Sequence, residues 1–237
     1  MVKVVILAGG LGTRISEETV DKPKPMVLIN GTPILWHIMN IFAVQGFNDF
    51  VLATGYKGEV ISEWVSTLED EWKVDVVDTG LDTQTGGRIK HCMELYPSEK
   101  FLATYGDGVG NINLRELITF HDSQRGLATL TAVRPPARFG YLDLANGKVK
   151  HFGEKNQSNA GWINGGFFVL EPKVASYVHS KNEPFETGAL PRLVNESRLN
   201  AFEHHGFWQP MDTLREKHDL ENLSSKGNPP WLENLEI

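Results

Sequence analysis

The residues of this chain best equipped for chemistry stand close to its start. Gly9, Gly10 and Gly12 place three glycines in four positions, and Thr13-Arg14 follow at once. Without Cβ atoms, such a stretch lets the backbone approach an anion closely and turn its N–H groups toward it. Arg14, Lys22 and Lys24 then bring three cations behind the glycines, with Pro23 and Pro25 stiffening the chain around Lys24. Backbone donors backed by cations predict a polyphosphate site. Two common versions of such a site do not fit. A P-loop closes its glycines with Gly-Lys-Ser/Thr, whereas Gly12 is followed by Thr13-Arg14. A dinucleotide fingerprint needs a glycine where Ile15 stands, and the acidic residue expected after the second strand is missing as well.

Other groups further along could serve the same chemistry. Gly106-Asp107-Gly108 sets a carboxylate between two glycines after an apolar run, a position suited to Mg²⁺. Asp212 stands where the last helix should open, so it reads as a second ligand or as an N-cap. Gly86 and Gly87, ahead of Arg88, could admit a base edge close to backbone groups. Glu154-Lys155 joins a carboxylate to an ammonium, and Asn164 lies beside Gly165-Gly166 in a strand those glycines should interrupt with a bulge or a close ligand approach. His204-His205 lacks the spacing of a helical metal pair. Cys92 is the lone cysteine, so no intrachain disulfide forms, and it reads as core packing. No serine–histidine or cysteine–histidine constellation is present.

These groups need a scaffold to bring them together. Val4-Val5-Ile6-Leu7 carries no polar alternation, as expected of a central strand covered on both faces. Helices are expected over 33–45 and 59–68, strands at 50–54 and 74–77, and a polar loop over 78–87 leading into a helix at Arg88. Strand alternates with helix at regular spacing, which predicts parallel strands. A strand over 101–105, a helix over 114–124 and a strand over 128–133 continue the series. From Arg134 the texture changes to short strands, with a hairpin turning at Asn146-Gly147. The last helix should span 213–225, and the tail from Gly227 to Leu232 is expected to extend toward another subunit. The fold class is therefore α/β: a single domain (1–237) with a mainly parallel, doubly wound, Rossmann-like sheet. Its halves are 1–133 and 134–237, the latter smaller and β-rich.

Leu7-Ala8-Gly9-Gly10-Leu11-Gly12-Thr13-Arg14 followed by Lys22-Pro23-Lys24-Pro25-Met26 resembles the signature of the sugar nucleotidyltransferases. These enzymes join a nucleoside triphosphate to a sugar 1-phosphate and release pyrophosphate. The resemblance continues through Gly106-Asp107-Gly108, Ile163 to Phe168 and Phe207 to Thr213, and is nearest the branch that transfers cytidylyl groups to glucose 1-phosphate. It implies Arg14 and Lys24 as catalytic residues. It implies Leu7, Ala8, Gly9, Gly10, Gly12, Thr13, Arg14, Lys24, Thr85, Gly86 and Arg88 around the nucleotide (CTP). Gly140, Tyr141, Glu154, Lys155, Asn164 and Gly165 would hold the sugar phosphate, and Asp107 and Asp212 would hold Mg²⁺. The product would be CDP-glucose, for deoxysugar or surface-polysaccharide synthesis, and a homo-oligomer is expected. The stretch between Trp72 and Thr79 is shorter than in that branch, which bears on base choice and assembly. Uridylyl or thymidylyl transfer, or a non-catalytic sensor of sugar nucleotides, are the alternatives. The sensor would lose Arg14, Lys24 or an acidic ligand, and all are kept.

Composition limits the rest. The 237 residues are 41% hydrophobic and 22% charged, which suits one large α/β domain. A net charge of −7 argues against nucleic acid as a partner. No apolar run is long enough to span a membrane. Met1 leads straight into the first strand, so a cytoplasmic location is expected.

Overall fold

Four apolar residues of β1 (Lys3–Leu7) divide between two cores, and this division organises the molecule. Val4 and Ile6 enter one hydrophobic cluster, Val5 and Leu7 the other. Alternate side chains of a strand point to opposite faces, so a strand with no polar alternation must be covered on both sides. The computed structural model describes residues 2–96, 100–135, 141–145, 148–153 and 161–235; for 141–145 and 151–153 it describes the backbone alone.

After β1 come α1 (Ser16–Thr19) and a small hairpin of β2 (Leu28–Ile29) and β3 (Thr32–Pro33). α2 (Ile34–Ala43) leads to β4 (Asp49–Thr54), and α3 (Gly58–Val65) to β5 (Lys73–Asp78). α4 (Thr85–Leu95) returns the chain to β6 (Phe101–Tyr105), followed by β7 (Gly108–Gly110), α5 (Leu114–Ser123) and β8 (Ala128–Val133). The later part comprises β9 (Tyr141–Ala145), β10 (Lys148–Gly153), β11 (Ile163–Leu170), α6 (Ala189–Asn195), β12 (Leu199–Glu203), β13 (Trp208–Pro210) and α7 (Leu214–Ser224).

The main sheet has seven strands in the order β12-β8-β11-β6-β1-β4-β5. β11 runs antiparallel to both neighbours, and the other adjacent pairs are parallel. From β1 the chain winds outward to β4 and β5, then crosses back through α4 to β6 on the other side of β1. The reversal of direction between β1 and β6 opens a crevice at the carboxyl ends of those strands, where open α/β sheets bind ligands. α2, with Ile34, Leu35, Ile38, Met39, Ile41 and Phe42 buried, covers one face. α4 covers the other through Ile89, Cys92 and Met93. The expected α/β architecture is the one found.

Two details differ from the sequence reading. α4 begins at Thr85, so Gly86 and Gly87 lie in its first turn rather than in a loop. Glycine is a poor helix former, but here its lack of a side chain is used: a Cβ on Gly87 would sit 2.2 Å from the Lys181 carbonyl oxygen. The tail does not reach outward. Trp231 is 1% exposed and packs edge-on against His37, with ring centroids 5.5 Å apart, so the tail closes the chain's own core. Residues 73–78 form an edge strand paired with β4, covering the strand expected at 74–77. The β9–β10 hairpin is present, with its turn at 146–147 outside the described residues. The expected bulge is also present, as a register shift between Asn164 and Phe168 of β11. Among the described residues, no helix is long and apolar enough to cross a membrane.

Candidate active site

The glycine loop leaves β1 at the crevice. Ala8 N–H still donates to the Ala53 carbonyl at 2.9 Å, but among the described residues the backbone N–H groups of Gly9 to Arg14 have no acceptor. Gly12 has φ +66°, a left-handed turn that side chains resist. This turn swings the chain into the short 3₁₀ turn Thr13–Ile15. A run of unpaired backbone donors is what an anion needs.

The loop surrounds a cavity of about 370 Å³, within the usual size of small-ligand pockets (roughly 300–1,000 Å³). Its other walls come from the 81–85 segment, from Arg88, and from Tyr105-Gly106-Asp107 at the end of β6. Gly106 N–H donates to the Leu7 carbonyl at 3.0 Å, and a Cβ there would come within 2.7 Å of that oxygen. This close approach sets Asp107 beside the glycine loop.

Asp212 arrives through tertiary structure alone. β13 pairs antiparallel with β7, Pro210 opposite Gly108, and Met211 N–H donates to the Asp107 carbonyl at 2.8 Å. The ribbon therefore ends with Asp107 and Asp212 side by side. Thr213, not Asp212, caps α7, in a capping box with Glu216 that leaves the Asp212 carboxylate free for other partners.

Lys24 occupies the point on which these two carboxylates converge. Its Nζ lies 2.6 Å from Asp107 Oδ2 and 2.7 Å from Asp212 Oδ1, and the residue is 7% exposed. Arg14 Nη1 approaches the other Asp212 oxygen at 2.6 Å while its side chain stays 70% exposed. Two carboxylates and two cations balance. Lys24 opens the short 3₁₀ turn Lys24–Met26 and is buried where the two carboxylates close on it. Two carboxylates facing one cation make the hard-oxygen arrangement that could hold Mg²⁺. Among the described residues, no group of three or more His, Cys, Asp or Glu gathers into a larger metal site.

Arg88 is nine-tenths or more buried and serves the scaffold as well as the cavity wall. It donates to the carbonyls of Thr54 at 2.6 Å and Gly9 at 3.0 Å, and to the Thr79 hydroxyl. Burial pulls its pKa below the usual guanidinium value, with Asp78 acting in the opposite sense. Gly9 and Gly55 are glycine to make room for it, since a Cβ on either would come within 2.3 or 2.7 Å of the guanidinium. One side chain thus ties the glycine loop to the ends of β4 and β5.

Leu7, Gly9, Gly10, Gly12, Thr13, Arg14, Lys24, Thr85 and Arg88 all line the cavity. Gly86 does not. Its N–H donates to the Glu183 carbonyl at 3.1 Å, and a Cβ would press on that oxygen at 2.6 Å, so it packs against the 181–185 segment. Ala8 is fully buried behind the loop. Lys22 is not on the cavity wall, and Lys90 turns away to the Val178 carbonyl at 3.0 Å. Asn164 lies near the cavity, its Nδ2 3.0 Å from the Tyr105 hydroxyl, and the Gly165 carbonyl accepts from Trp208 Nε1 at 2.8 Å. Gly140, Glu154 and Lys155 lie outside the described residues, and Tyr141 is described by its backbone only, at the start of β9. Wall residues that escaped the sequence reading include Leu11, Leu81, Thr83, Gln84 and Tyr105. Tyr105 could have been noticed as the last strand residue before Gly106-Asp107. Leu11 and Leu81 stand 54% and 60% exposed on the cavity wall, a placement that only the fold reveals.

Comparison with known proteins agrees with this geometry. Residues 3–217 match the nucleotidyl transferase family. The chain is 47% identical to the glucose-1-phosphate cytidylyltransferase of Salmonella typhimurium, covering 97% of this chain and 98% of that protein. The aligned region spans 252 positions, more than the 237 residues here, so that relative carries residues without a counterpart in this chain. A probable glucose-1-phosphate cytidylyltransferase of Bacillus subtilis is 41% identical over 97% of this chain and 98% of its own. The fold resembles that of HddC from Yersinia pseudotuberculosis complexed with GMP-PN: TM-score 0.72, 28% identity, covering 92% of this chain and 97% of that one. A loop of unpaired N–H groups, a lysine between two carboxylates and a match over most of the length converge: the chain belongs to the nucleotidyl transferase family.

Proposed function

We propose that the protein transfers a cytidylyl group from CTP to glucose 1-phosphate, giving CDP-glucose and pyrophosphate. The observation that carries the reading is a cavity whose wall sets unpaired backbone N–H groups beside Lys24, Arg14 and Asp107, with Asp212 paired to both cations. Support for the substrates comes from the two relatives, at 47% and 41% identity over nearly whole chains.

The acceptor is itself a phosphate, with a second pKa near 6 by analogy with phosphoserine, so it is mostly ionised at pH 7 and needs no general base. One of its oxygens bonds to the α-phosphorus. The bond from that phosphorus to the bridging oxygen breaks, and its electrons leave with pyrophosphate. What the protein must supply is alignment and charge neutralisation between two anions. The glycine loop N–H groups and Arg14 hold the triphosphate, and Lys24 faces the phosphorus where bonds form and break. The exposed Leu11 and Leu81 cover the base and ribose. Asp107 and Asp212 are the residues that would hold Mg²⁺, and their convergence on one cation fits that role. A metal held there would supply positive charge that offsets the negative charge of the reacting phosphates.

Pyrophosphate release measured across CTP, UTP, dTTP and GTP with a panel of sugar 1-phosphates tests this. CTP with glucose 1-phosphate should give the highest kcat/KM, and EDTA should abolish turnover. Faster release with UTP or dTTP would replace the cytidylyl reading with uridylyl or thymidylyl transfer. No release with any pair would leave a nucleotide sensor.

A further inference from the structure

A chain of hydrogen bonds runs along one wall of the cavity, and the direction of each proton in it can be assigned. Gly166 N–H donates to Asn164 Oδ1 at 3.0 Å, which fixes the amide so that its Nδ2 donates to the Tyr105 hydroxyl, also at 3.0 Å. Tyr105 donates its one proton to Glu186 Oε1 at 2.6 Å. From the other side, Phe185 N–H donates to Thr85 Oγ1 at 2.8 Å, and Thr85 donates to Glu186 Oε2 at 2.7 Å. One carboxylate thus joins the end of β6, the first residue of α4 and the bulge of β11. Burial, with the charge of Glu186 adding to it, pushes the Tyr105 phenol well above its ordinary range, so it stays protonated.

The wall therefore has a polarity. Tyr105 has committed its proton to Glu186 and can face a ligand only as an acceptor, and the carboxylate behind it can only accept. Two residues further on, at Asp107, the character reverses: Lys24, Arg14 and the loop N–H groups present cations and donors. An anionic phosphate is favoured at that end and disfavoured beside Tyr105. A group that gives a proton is favoured beside Tyr105.

We propose that Tyr105 reads one hydroxyl of the acceptor sugar as a hydrogen-bond acceptor, and that Glu186 is the positioning residue that holds Tyr105 in that polarity. The pair selects an acceptor bearing a hydroxyl at one ring position and orients it with its phosphate toward Asp107. This inference rests on the sugar 1-phosphate reading above and names two further specificity residues within it.

The test is a scan of kcat/KM over the complete set of monodeoxyfluoro analogues of glucose 1-phosphate, in wild type, Tyr105→Phe and Glu186→Gln. Fluorine keeps the position filled but cannot donate. In wild type, one position should lose at least about tenfold more than the others, as sites built to bond a hydroxyl reject analogues lacking it. In Tyr105→Phe that excess should vanish while the other positions keep their relative rates and nucleotide affinity stays within about twofold. Glu186→Gln should shrink the same excess at the same position, and it carries the comparison if Tyr105→Phe fails to fold. An unchanged fluorine profile in both variants, or an equal loss at every position, overturns the inference and leaves the cytidylyl reading standing. A wild type inactive on every sugar 1-phosphate overturns both.

Discussion

At the scale of single residues, Lys24 is the group on which most depends. With its ammonium between Asp107 and Asp212 it does for the free protein what a metal ion would do with substrate bound: it keeps two carboxylates from repelling. Lys24→Met should therefore have three effects. Turnover should fall by about 10²–10³-fold, the usual loss when one preorganised charge-stabilising group is removed. Stability in urea should fall by about 2 kcal/mol, less than the ~3–5 for breaking a fully buried pair, because Asp107 keeps 29% exposure. Mn²⁺ binding by the nucleotide-free protein, read by electron paramagnetic resonance, should tighten, since the competing cation is gone. Mn²⁺ affinity equal to wild type would show that Lys24 does not guard the carboxylates.

At the scale of elements, two helix starts decide the shape of the cavity. The capping box at Thr213 frees Asp212 for Lys24 and Arg14. The glycines opening α4 let the helix lie directly on the 181–185 backbone, which places Arg88 and Thr85 on the cavity wall. Gly87→Ala weighs two effects against each other. Helix propensity favours alanine by about 1 kcal/mol. The new Cβ would stand 2.2 Å from the Lys181 carbonyl oxygen and 2.6 Å from its Cα, backbone atoms that cannot move aside cheaply. Overpacking of this kind costs about 1–3 kcal/mol, and the severity of the overlap puts this site at the upper end. The net expectation is a loss of about 2 kcal/mol in a urea titration, with nucleotide KM rising as α4 shifts. A neutral or stabilised variant would refute the close packing.

At the scale of the whole molecule, the tail holds the β7–β13 ribbon from behind. Trp231 packs against Phe207, which enters β13, and against His37 of α2. Trp231→Ala should cost about 3–5 kcal/mol, measurable by thermal or urea unfolding. His37 gives the same cluster a pH dependence. Burial lowers its pKa from the ordinary 6.5, against a weaker opposing hydrogen bond to the Ile29 carbonyl. A group with a lowered folded pKa contributes stability above its unfolded pKa and loses it as pH falls toward the folded value. Tm should therefore decline as pH drops below about 6.5, and His37→Phe should flatten part of that decline. The remainder should persist, because His204 is lowered by burial in the same direction. An identical Tm–pH slope in His37→Phe would exclude His37 as a contributor.

The sequence by itself determined what is local and periodic: the unalternating strand Val4–Leu7, the glycine loop with Arg14 and Lys24, and the helix–strand series of residues 1–133. These depend on spacing along the chain, which the sequence carries directly. Tertiary structure decided whatever depends on distant segments meeting. Asp107 and Asp212 become neighbours only because β7 pairs with β13, and Lys24 becomes buried only because both carboxylates close on it. Gly86 and Gly87 read as ligand-facing in sequence because glycine permits any close approach; that the approaching group is the 181–185 backbone is fixed by how α4 packs. Trp231 reads as a free tail for the same reason, since nothing local says which apolar surface will cover it, and the cluster of His37 and Phe207 exists only once the sheet has brought its helices together.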